Sequence, residues 1–510
     1  MSTKSIPSSP EPFWRESAGL PSFPKLDKNL DTDAVVVGGG ITGITAAYLL
    51  AKEGVNVVLL EADGLLNGTT GHTTAKITTQ HDLIYDELIQ HIGEEKAKKY
   101  FAANHEALEF MRDYAAGVSC DFSNQDAYIY TAESKNATKL EKEYKAYVKL
   151  GIDCGMADSI PFDLPIKNAI LIKNQAQFHP LSYLGHMTGE LQKMGVEIYE
   201  NTVAVDAEVF EGGAKVRTRD GFEVKAKHAL SCSHFPFFDG NGFYFARMYA
   251  ERSYVLGVKT RKPYPGGMYL SADNPTRSIR STPMDGEDLI LIGGDSHKTG
   301  QGFDTQKHYE ALELFGKVHL GLKEAVYKWS AQDLITLDKI PYVGPVTKGK
   351  PSVLAASGYR KWGMTNGTAA AMMMRDMVLE RENPYQEVFC PSRFIADPSI
   401  KTFLVQNANV AGHLIGGKLD FGSRKKIEEL RNDEGALVSY KGQKAAAYKD
   451  QQGCLHLVDS TCTHLGCEVE WNRGDRSWDC PCHGSRFSTD GEVMEGPADK
   501  PLKKLQMDEA

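Results

Sequence analysis

The sequence lacks the features that would mark a membrane, secreted or nucleic-acid-binding protein. Cysteine is scarce, nine residues in 510, which excludes a disulfide scaffold. Positive charge is in deficit: 58 Lys and Arg against 67 Asp and Glu give a net charge of −9. Bulk nucleic-acid binding asks instead for a basic face. One uncharged stretch, 34–51, is long enough to suggest a membrane span. Its glycines at 38, 39, 40 and 43, and the change from a valine run to helical spacing, read instead as strand–turn–helix. Residues 1–30 have no apolar signal core and no twin arginine, and carry prolines at 7, 10, 12, 21 and 24. This predicts an arm laid over the surface and no export signal. Internal repeats and low-complexity tracts are missing too. What is present is ordinary for globular domains, 41% hydrophobic and 25% charged residues. The length asks for about three domains or fewer.

The apolar pattern predicts a buried parallel strand at Ala34–Val37, a helix from Thr42 to Glu53 and a second buried strand from Val55 to Leu60. A helix over 92–116 would pack Ala97, Tyr100, Phe101, Ala107, Leu108, Met111 and Tyr114 on one core face. Lys139–Leu150 reads as a charged, solvated helix. His179-Pro180 opens a helix to Met194, followed by a strand at Val196–Tyr199. Ala214–Thr218 and Phe222–Leu230 alternate around Asp220-Gly221, a hairpin signal. A strand-rich region runs to about Ser330, and a strand at Val353–Ala356 leads to a helix at Thr368–Leu379. From Asn383 to about Gly422 no period emerges, which predicts a linker; short strands and turns follow.

Gly38-x-Gly40-x-x-Gly43 falls between the first strand and its helix. Glycines at these positions allow a tight turn, close approach to a pyrophosphate and helix-on-strand packing. The helix N-terminus then faces the diphosphate. Glu61 ends the next strand, where a carboxylate can take ribose hydroxyls. The motif alone does not separate NAD from FAD.

Further residues do. Gly38–Ala47, Glu61 and Gly68-Thr-Thr-Gly-His72-Thr-Thr resemble the D-amino-acid-oxidase-like FAD-dependent oxidoreductases. Asp338-Lys-Ile-Pro-Tyr-Val-Gly344-Pro and Gly358-Tyr-Arg-Lys-Trp-Gly363-Met-Thr-Asn-Gly367 are similar to that family's second flavin-contacting segment. The resemblance spans about Thr32 to Pro384. It implies flavin contacts at Gly38, Gly40, Ile41, Thr42, Gly43, Glu61, Ala62, Thr70, His72, Thr73, Val203, Gly358, Trp362, Gly363, Met364 and Thr365. It also implies oxidation of a C–H beside an amine nitrogen. Ser233 departs from the family, which has glycine there. His72 matches a histidine that some members bond covalently to flavin, but those have tryptophan where this chain has Gly71. A histidine that only hydrogen-bonds near the flavin is the plainer reading.

The strongest signal is Cys462-Thr-His464-Leu-Gly-Cys467, then Cys480-Pro-Cys482-His483-Gly-Ser485. Two loops each offering a cysteine and a histidine suit a [2Fe–2S] centre with two thiolates on one iron and two imidazoles on the other. Zinc takes such pairs too, but six ligand-type residues exceed what a tetrahedral site needs. Residues 423–507 resemble a Rieske domain of the cytochrome bc type. By that resemblance Cys462 and Cys480 bind one iron, His464 and His483 the other, and Cys467 and Cys482 form a disulfide. Gly496-Pro497-Ala498 matches the loop that covers the cluster. Ser485 matches a serine that hydrogen-bonds a bridging sulfide, and Phe487 replaces a tyrosine that bonds a cysteine sulfur.

The expected fold is therefore an α/β Rossmann-like FAD domain interleaved with an α+β substrate domain, followed by a small all-β Rieske domain. The expected boundaries are an arm over 1–30, the flavin half over 31–385, a linker over 386–422 and the cluster domain over 423–510. The expected activity oxidises an amine or amino-acid-like substrate and passes electrons through the cluster to an external quinone or redox protein. Two other readings are an electron-transfer protein without a small substrate and a redox sensor with a degenerate flavin domain. Arg252, Tyr254 and His297 are candidates for substrate contact, with core or surface roles as the plainer alternative. The missing twin arginine predicts a cytoplasmic protein, with contact at the membrane periphery left open.

Overall fold

The computed structural model describes residues 6–7, 9–302, 304–419 and 425–506. The outermost residues of the expected arm and cluster domain, and the end of the expected linker, lie outside them.

Two sheets build the N-terminal half. In the first, strands Val353–Ser357, Glu223–Ser231, Leu30–Val37, Val57–Leu60 and Glu197–Tyr199 run parallel in that order. Ala34, Val35 and Val36 are fully buried, as a continuous β-branched run in a covered parallel sheet should be. The helix Ile41–Lys52 follows the first strand. The second sheet has nine strands and is mostly antiparallel. Its long strands Met248–Thr260 and Leu322–Thr336 pair along their whole length, with Arg252 opposite Gln332 and Glu251 opposite Asp333. Leu322–Thr336 ends the sheet's main path. The side not paired with 248–260 carries other segments: Arg360 N–H donates to Leu334 O at 3.1 Å, and Thr69 Oγ1 to Gln332 O at 3.2 Å.

The C-terminal domain stacks a three-stranded sheet (Glu434–Tyr440, Gln443–Lys449, Leu455–Asp459) and a four-stranded one (Glu470–Asn472, Ser477–Asp479, Arg486–Phe487, Val493–Glu495). Both are antiparallel.

Four expectations need correction. The arm is anchored: the short helix Phe13–Ser17 buries Trp14 completely, its Nε1–H donates to Thr73 O at 2.8 Å, and Arg280 lies over its ring. The helix expected from Lys139 starts at Ser134 and is not merely solvated. It buries Leu140, Ala146 and Tyr147, and its Glu143 carboxylate accepts the N–H groups of Tyr85 and Asp86. Burial pushes that carboxyl up to about 7. The helix expected from Thr368 starts at Gly363, because Thr365 Oγ1 donates to Thr78 O and Gly367 packs on Thr42. The expected linker holds the helices Gln386–Phe389 and Ala396–Leu419. The longer one exposes Ile400 and Leu404 while Val410 packs inward, so no polar face marked its period. Among the described residues no helix is long and apolar enough to cross a membrane.

The C-terminal domain is seated on the strand pair 248–260 and 322–336 by a buried ion network. Arg252, fully buried, reaches Asp475, Asp479 and Glu495 at 3.6, 3.8 and 3.2 Å. Arg486 meets the same three carboxylates at 3.1, 3.0 and 2.8 Å. Tyr309 and Ser330 hydroxyls also donate to Asp475. For Glu495, burial works against the charge, but Arg252 and Arg486 overcome it and hold the carboxyl down at about 2.

Replacing one partner of such a network leaves buried charge uncompensated and costs about 3–5 kcal/mol. Arg252→Met is therefore expected to lower the denaturant midpoint of the full chain at pH 7. Because the carboxyl of Glu495 is depressed from 4.5 to about 2, its contribution is complete above pH 4.5 and fades as pH falls towards 2. The gap between wild type and variant should narrow across that window; a constant gap would contradict the assignment.

Candidate functional site

The glycine turn leaves no room for side chains. Gly38 has φ +111°, and a Cβ there would fall 2.5 Å from Cys232 O. A Cβ on Gly43 would fall 1.8 Å from Gly38 O. Above this turn the N-terminus of helix 41–52 is capped by Thr70, whose Oγ1 accepts from Ile41 N–H at 3.1 Å. The half-buried Glu61 carboxylate accepts N–H groups from Gly39 at 2.6 Å and Asp63 at 3.0 Å. Burial raises its pKa despite those bonds. Ala62 is exposed on the same rim, and Val203 is tied beside it through Thr202 N–H to Glu61 O and Arg219 N–H to Val203 O, both at 2.8 Å.

A second helix N-terminus arrives next to the first. Gly358, with φ +83°, packs so closely on Thr336 that a Cβ would sit 2.4 Å from its methyl. Arg360 and Lys361 follow in left-handed conformations at φ 47° and 70°. Trp362 stacks on His81 at 5.2 Å, and the helix Gly363–Val378 begins. Its Met364 and Thr365 are buried at that start. Tyr359 OH and Thr42 Oγ1 hydrogen-bond at 2.8 Å, joining the two helix starts. Paired helix N-termini over a side-chain-free turn suit a dinucleotide diphosphate and an electron-rich ring. Arg360 Nη1 and Asn366 Oδ1 are buried there without a protein partner.

Between these elements runs the segment 69–73. His72 Nδ1 lies 2.9 Å from Gly68 O, and Trp329 Nε1–H donates to His72 O at 2.8 Å. Burial lowers its pKa. A Cβ at Gly71 would fall 2.2 Å from Leu66 O, so no tryptophan fits that position here. Thr73 Oγ1 accepts from Ala75 N–H. Ser233, the other departure, closes a local turn: its hydroxyl donates to Phe235 O and accepts from Phe237 N–H.

In the C-terminal domain, each cysteine–histidine loop is closed by its own backbone. Gly466 N–H bonds Cys462 O, and Gly484 N–H bonds Cys480 O, both at 3.0 Å. Cys462 and Cys480 are buried free thiols. A hydrogen bond from Cys480 holds the Cys462 thiol down at about 7. The His464 and His483 rings stand 5.0 Å apart at 90°. His464 Nδ1 is buried with no partner. Burial lowers both imidazoles, His483 to about 4, which keeps them neutral as metal ligation requires. Cys467 and Cys482 are disulfide-bonded. The Sγ atoms of Cys467, Cys480 and Cys482 lie within 4.8 Å of one another, but the disulfide removes two of them as ligands. Two free thiols, two neutral imidazoles and an orphaned Nδ1 fit a [2Fe–2S] centre of mixed ligation.

A family model described as FAD dependent oxidoreductase matches residues 33–377. The chain belongs to that family. The Rieske [2Fe-2S] domain model matches residues 423–506. YhfW of Bacillus subtilis, named for a Rieske 2Fe-2S iron-sulfur protein, is 48% identical over 98% of both chains. The fold is shared with glycine oxidase from Geobacillus kaustophilus, TM-score 0.61 at 17% identity, covering 72% of this chain and 100% of that one. L-proline dehydrogenase from P. horikoshii also has TM-score 0.61, at 16% identity, over 72% and 98%. This Rieske flavoprotein is thus an FAD-dependent oxidoreductase whose family binds FAD, joined to a domain type that binds a 2Fe-2S cluster.

The three residues considered for substrate contact are elsewhere. Arg252 is consumed by the ion network, where no substrate reaches it. Tyr254 OH bonds His297 Nε2 at 2.9 Å, and both rings stack with His308. Residues that sequence reasoning missed lie where the halves meet. Phe245 presents its ring edgewise to His464 at 5.9 Å and His483 at 5.5 Å. Gln332 Nε2–H donates to Gly484 O at 2.9 Å. Neither belongs to a local motif, so only the tertiary contact exposes them.

Phe487 is fully buried among the cluster-domain aromatics and has no hydroxyl to give a cysteine sulfur. A hydrogen bond to a ligand sulfur favours the reduced, more negative cluster. Phe487→Tyr is therefore expected to raise the cluster potential in protein-film voltammetry; an equal or lower value would refute the missing bond.

Proposed function

We propose that this oxidoreductase dehydrogenates an amine or amino-acid-like substrate and delivers the electrons through its Rieske cluster to an external acceptor. The supporting observation is the seating of the cluster loops on the strand pair 248–260 and 322–336, while the unpaired edge of strand 322–336 holds the flavin segments 69–73 and 358–361. When bound, FAD supplies hydride acceptance from the carbon beside the amine nitrogen, and the cluster supplies one-electron transfer.

In this reading Gly38, Gly40, Gly43 and the N–H groups starting helix 41–52 hold the diphosphate, and Glu61 holds the ribose. Gly358, Trp362, Gly363, Met364 and Thr365 bound the ring, and Ile41, Thr42, Ala62, Thr70, His72, Thr73 and Val203 complete the contacts. His72 is a hydrogen-bonding neighbour of a non-covalent flavin. Cys462 and Cys480 hold one iron; His464, through its unpartnered Nδ1, and His483 hold the other. The amine nitrogen is met by Asp333 and Glu251, paired across the two strands. Lys361 Nζ lies 3.4 Å from Glu251 and tempers the pair. Burial pushes the Asp333 carboxyl up to about 6. A hydride departs only from a neutral amine, so an ammonium substrate must first lose a proton, and an Asp333 carboxylate near that pH is suited to take it.

An anaerobic panel of amines and amino acids, read by flavin absorbance, tests the reading. One class is expected to bleach the flavin, and the reduced cluster should then give an EPR signal. No bleaching by any member would favour an electron-transfer protein without a small substrate. With the substrate found, kcat/KM should fall below about pH 6, and Asp333→Asn should abolish that limb. Acid precipitation should leave a colourless pellet and a yellow supernatant; a yellow pellet would mean covalent flavin.

A further inference from the structure

We propose that Gln332 is the bridge through which the two halves exchange electrons. Its main chain holds the flavin segment and its side chain holds the cluster loop. The inference rests on the reading above, that the two cofactors exchange electrons within one chain.

Gln332 is 1% exposed and lies on the strand Leu322–Thr336. Its carbonyl accepts from Thr69 Oγ1 at 3.2 Å. Thr69 adjoins Thr70, which caps the helix at the glycine turn. On the other side, Gln332 Nε2–H donates to Gly484 O at 2.9 Å. Gly484 directly follows His483, and its own N–H closes the cluster loop on Cys480 O. The route from Thr69 to His483 therefore crosses two hydrogen bonds and is otherwise covalent. Electronic coupling decays far less along bonded links than across gaps, which favours this connection over through-space contacts. Phe245 touches both histidines only by ring-edge contact.

The surroundings hold this bridge at one length. Gly484 has φ +83°, and a Cβ there would fall 2.4 Å from Ala250 Cβ and 3.0 Å from Gln332 Oε1. Only a glycine lets the cluster loop come this close. Gly300 does the same on the other flank, where a Cβ would fall 2.5 Å from Pro481 N. Arg252, the cross-strand neighbour of Gln332, pins the domain through its three carboxylates. Each transfer would move one electron from reduced flavin to the oxidised cluster, and the flavin N5 proton would leave to solvent over the two transfers. A one-electron acceptor such as ferricyanide would re-oxidise the cluster between them.

The test uses the full chain loaded with both cofactors. A flash of photoexcited deazaflavin reduces the flavin, and absorbance follows electron arrival at the cluster. Gln332→Leu is expected to slow the exchange several-fold at unchanged FAD and iron content. Thr69→Val should slow it too, with the cluster's potential and EPR g-values as in wild type, because its site does not touch the cluster. If both act on one route, the double variant will be no slower than the slower single one. Exchange at the wild-type rate in Gln332→Leu, or independent additive effects, would overturn the bridge. Should Gln332→Leu fail to hold its cluster, Thr69→Val decides, and an unchanged rate there overturns the proposal. If wild type itself shows no exchange, the proposed function fails instead.

Discussion

Two guanidinium groups sharing three carboxylates in a largely buried interface govern this molecule. Arg252 comes from the flavin half; Arg486, Asp475, Asp479 and Glu495 come from the cluster domain. Such a network is a poor source of net stability, because desolvation offsets much of the attraction. Its geometry is demanding, however. A guanidinium satisfies planar acceptors from a narrow range of directions. An error in domain placement would strand charge in a low dielectric, so the cluster domain has one seat.

That seat has a steric side and a chemical side. Gly300 lets backbone meet backbone at Pro481, and Gly484 lets the cluster loop close on the Ala250 and Gln332 side chains, where any added side chain would hold the domains apart. Thr305 Oγ1 donates to Asn472 Oδ1 at 2.7 Å and accepts from Gly474 N–H at 2.8 Å, extending the contact. The helix 396–419 closes the remaining edge, with Val410 packed on the cluster-domain core and Asn409 accepting from Gln301. His464 and His483 consequently face Phe245 of the flavin half. The flavin half and the cluster domain thus meet on strand 322–336, which contacts both.

In the flavin half the same economy holds. The Rossmann-like turn and the second glycine-rich loop are far apart in sequence, yet Thr42 meets Tyr359, and Gly367 packs on Thr42. Two helix N-termini meet, and a helix N-terminus attracts an anion without a charged side chain beside it. Glu61 is spent partly on the turn itself, accepting from Gly39. It orders the site as well as offering a carboxylate at its rim.

Sequence alone determined whatever rests on short spacing. Glycines that must admit a backbone, and cysteine–histidine pairs on tight loops, carry their chemistry within a few residues, so Gly38, Gly43 and Cys462-to-Ser485 were legible together with the two-part architecture. The valine run at 34–37 was legible as an unbroken apolar stretch and the helix face at 97–111 through its periodicity. Helix 396–419 was not, since it is apolar on an exposed side and has no amphipathic period. The start at Gly363 was hidden because contacts with Thr78 and Thr42 override weak local propensity. Arg252 was a candidate for substrate contact with a core or surface role as the plainer alternative, and the buried ion network bears out the plainer one. Only the tertiary structure decided its use, by bringing three acids from more than 220 positions away to one guanidinium. The same holds for Gln332: its role depends on which loop the fold lays against it, and no stretch of neighbouring residues encodes that contact.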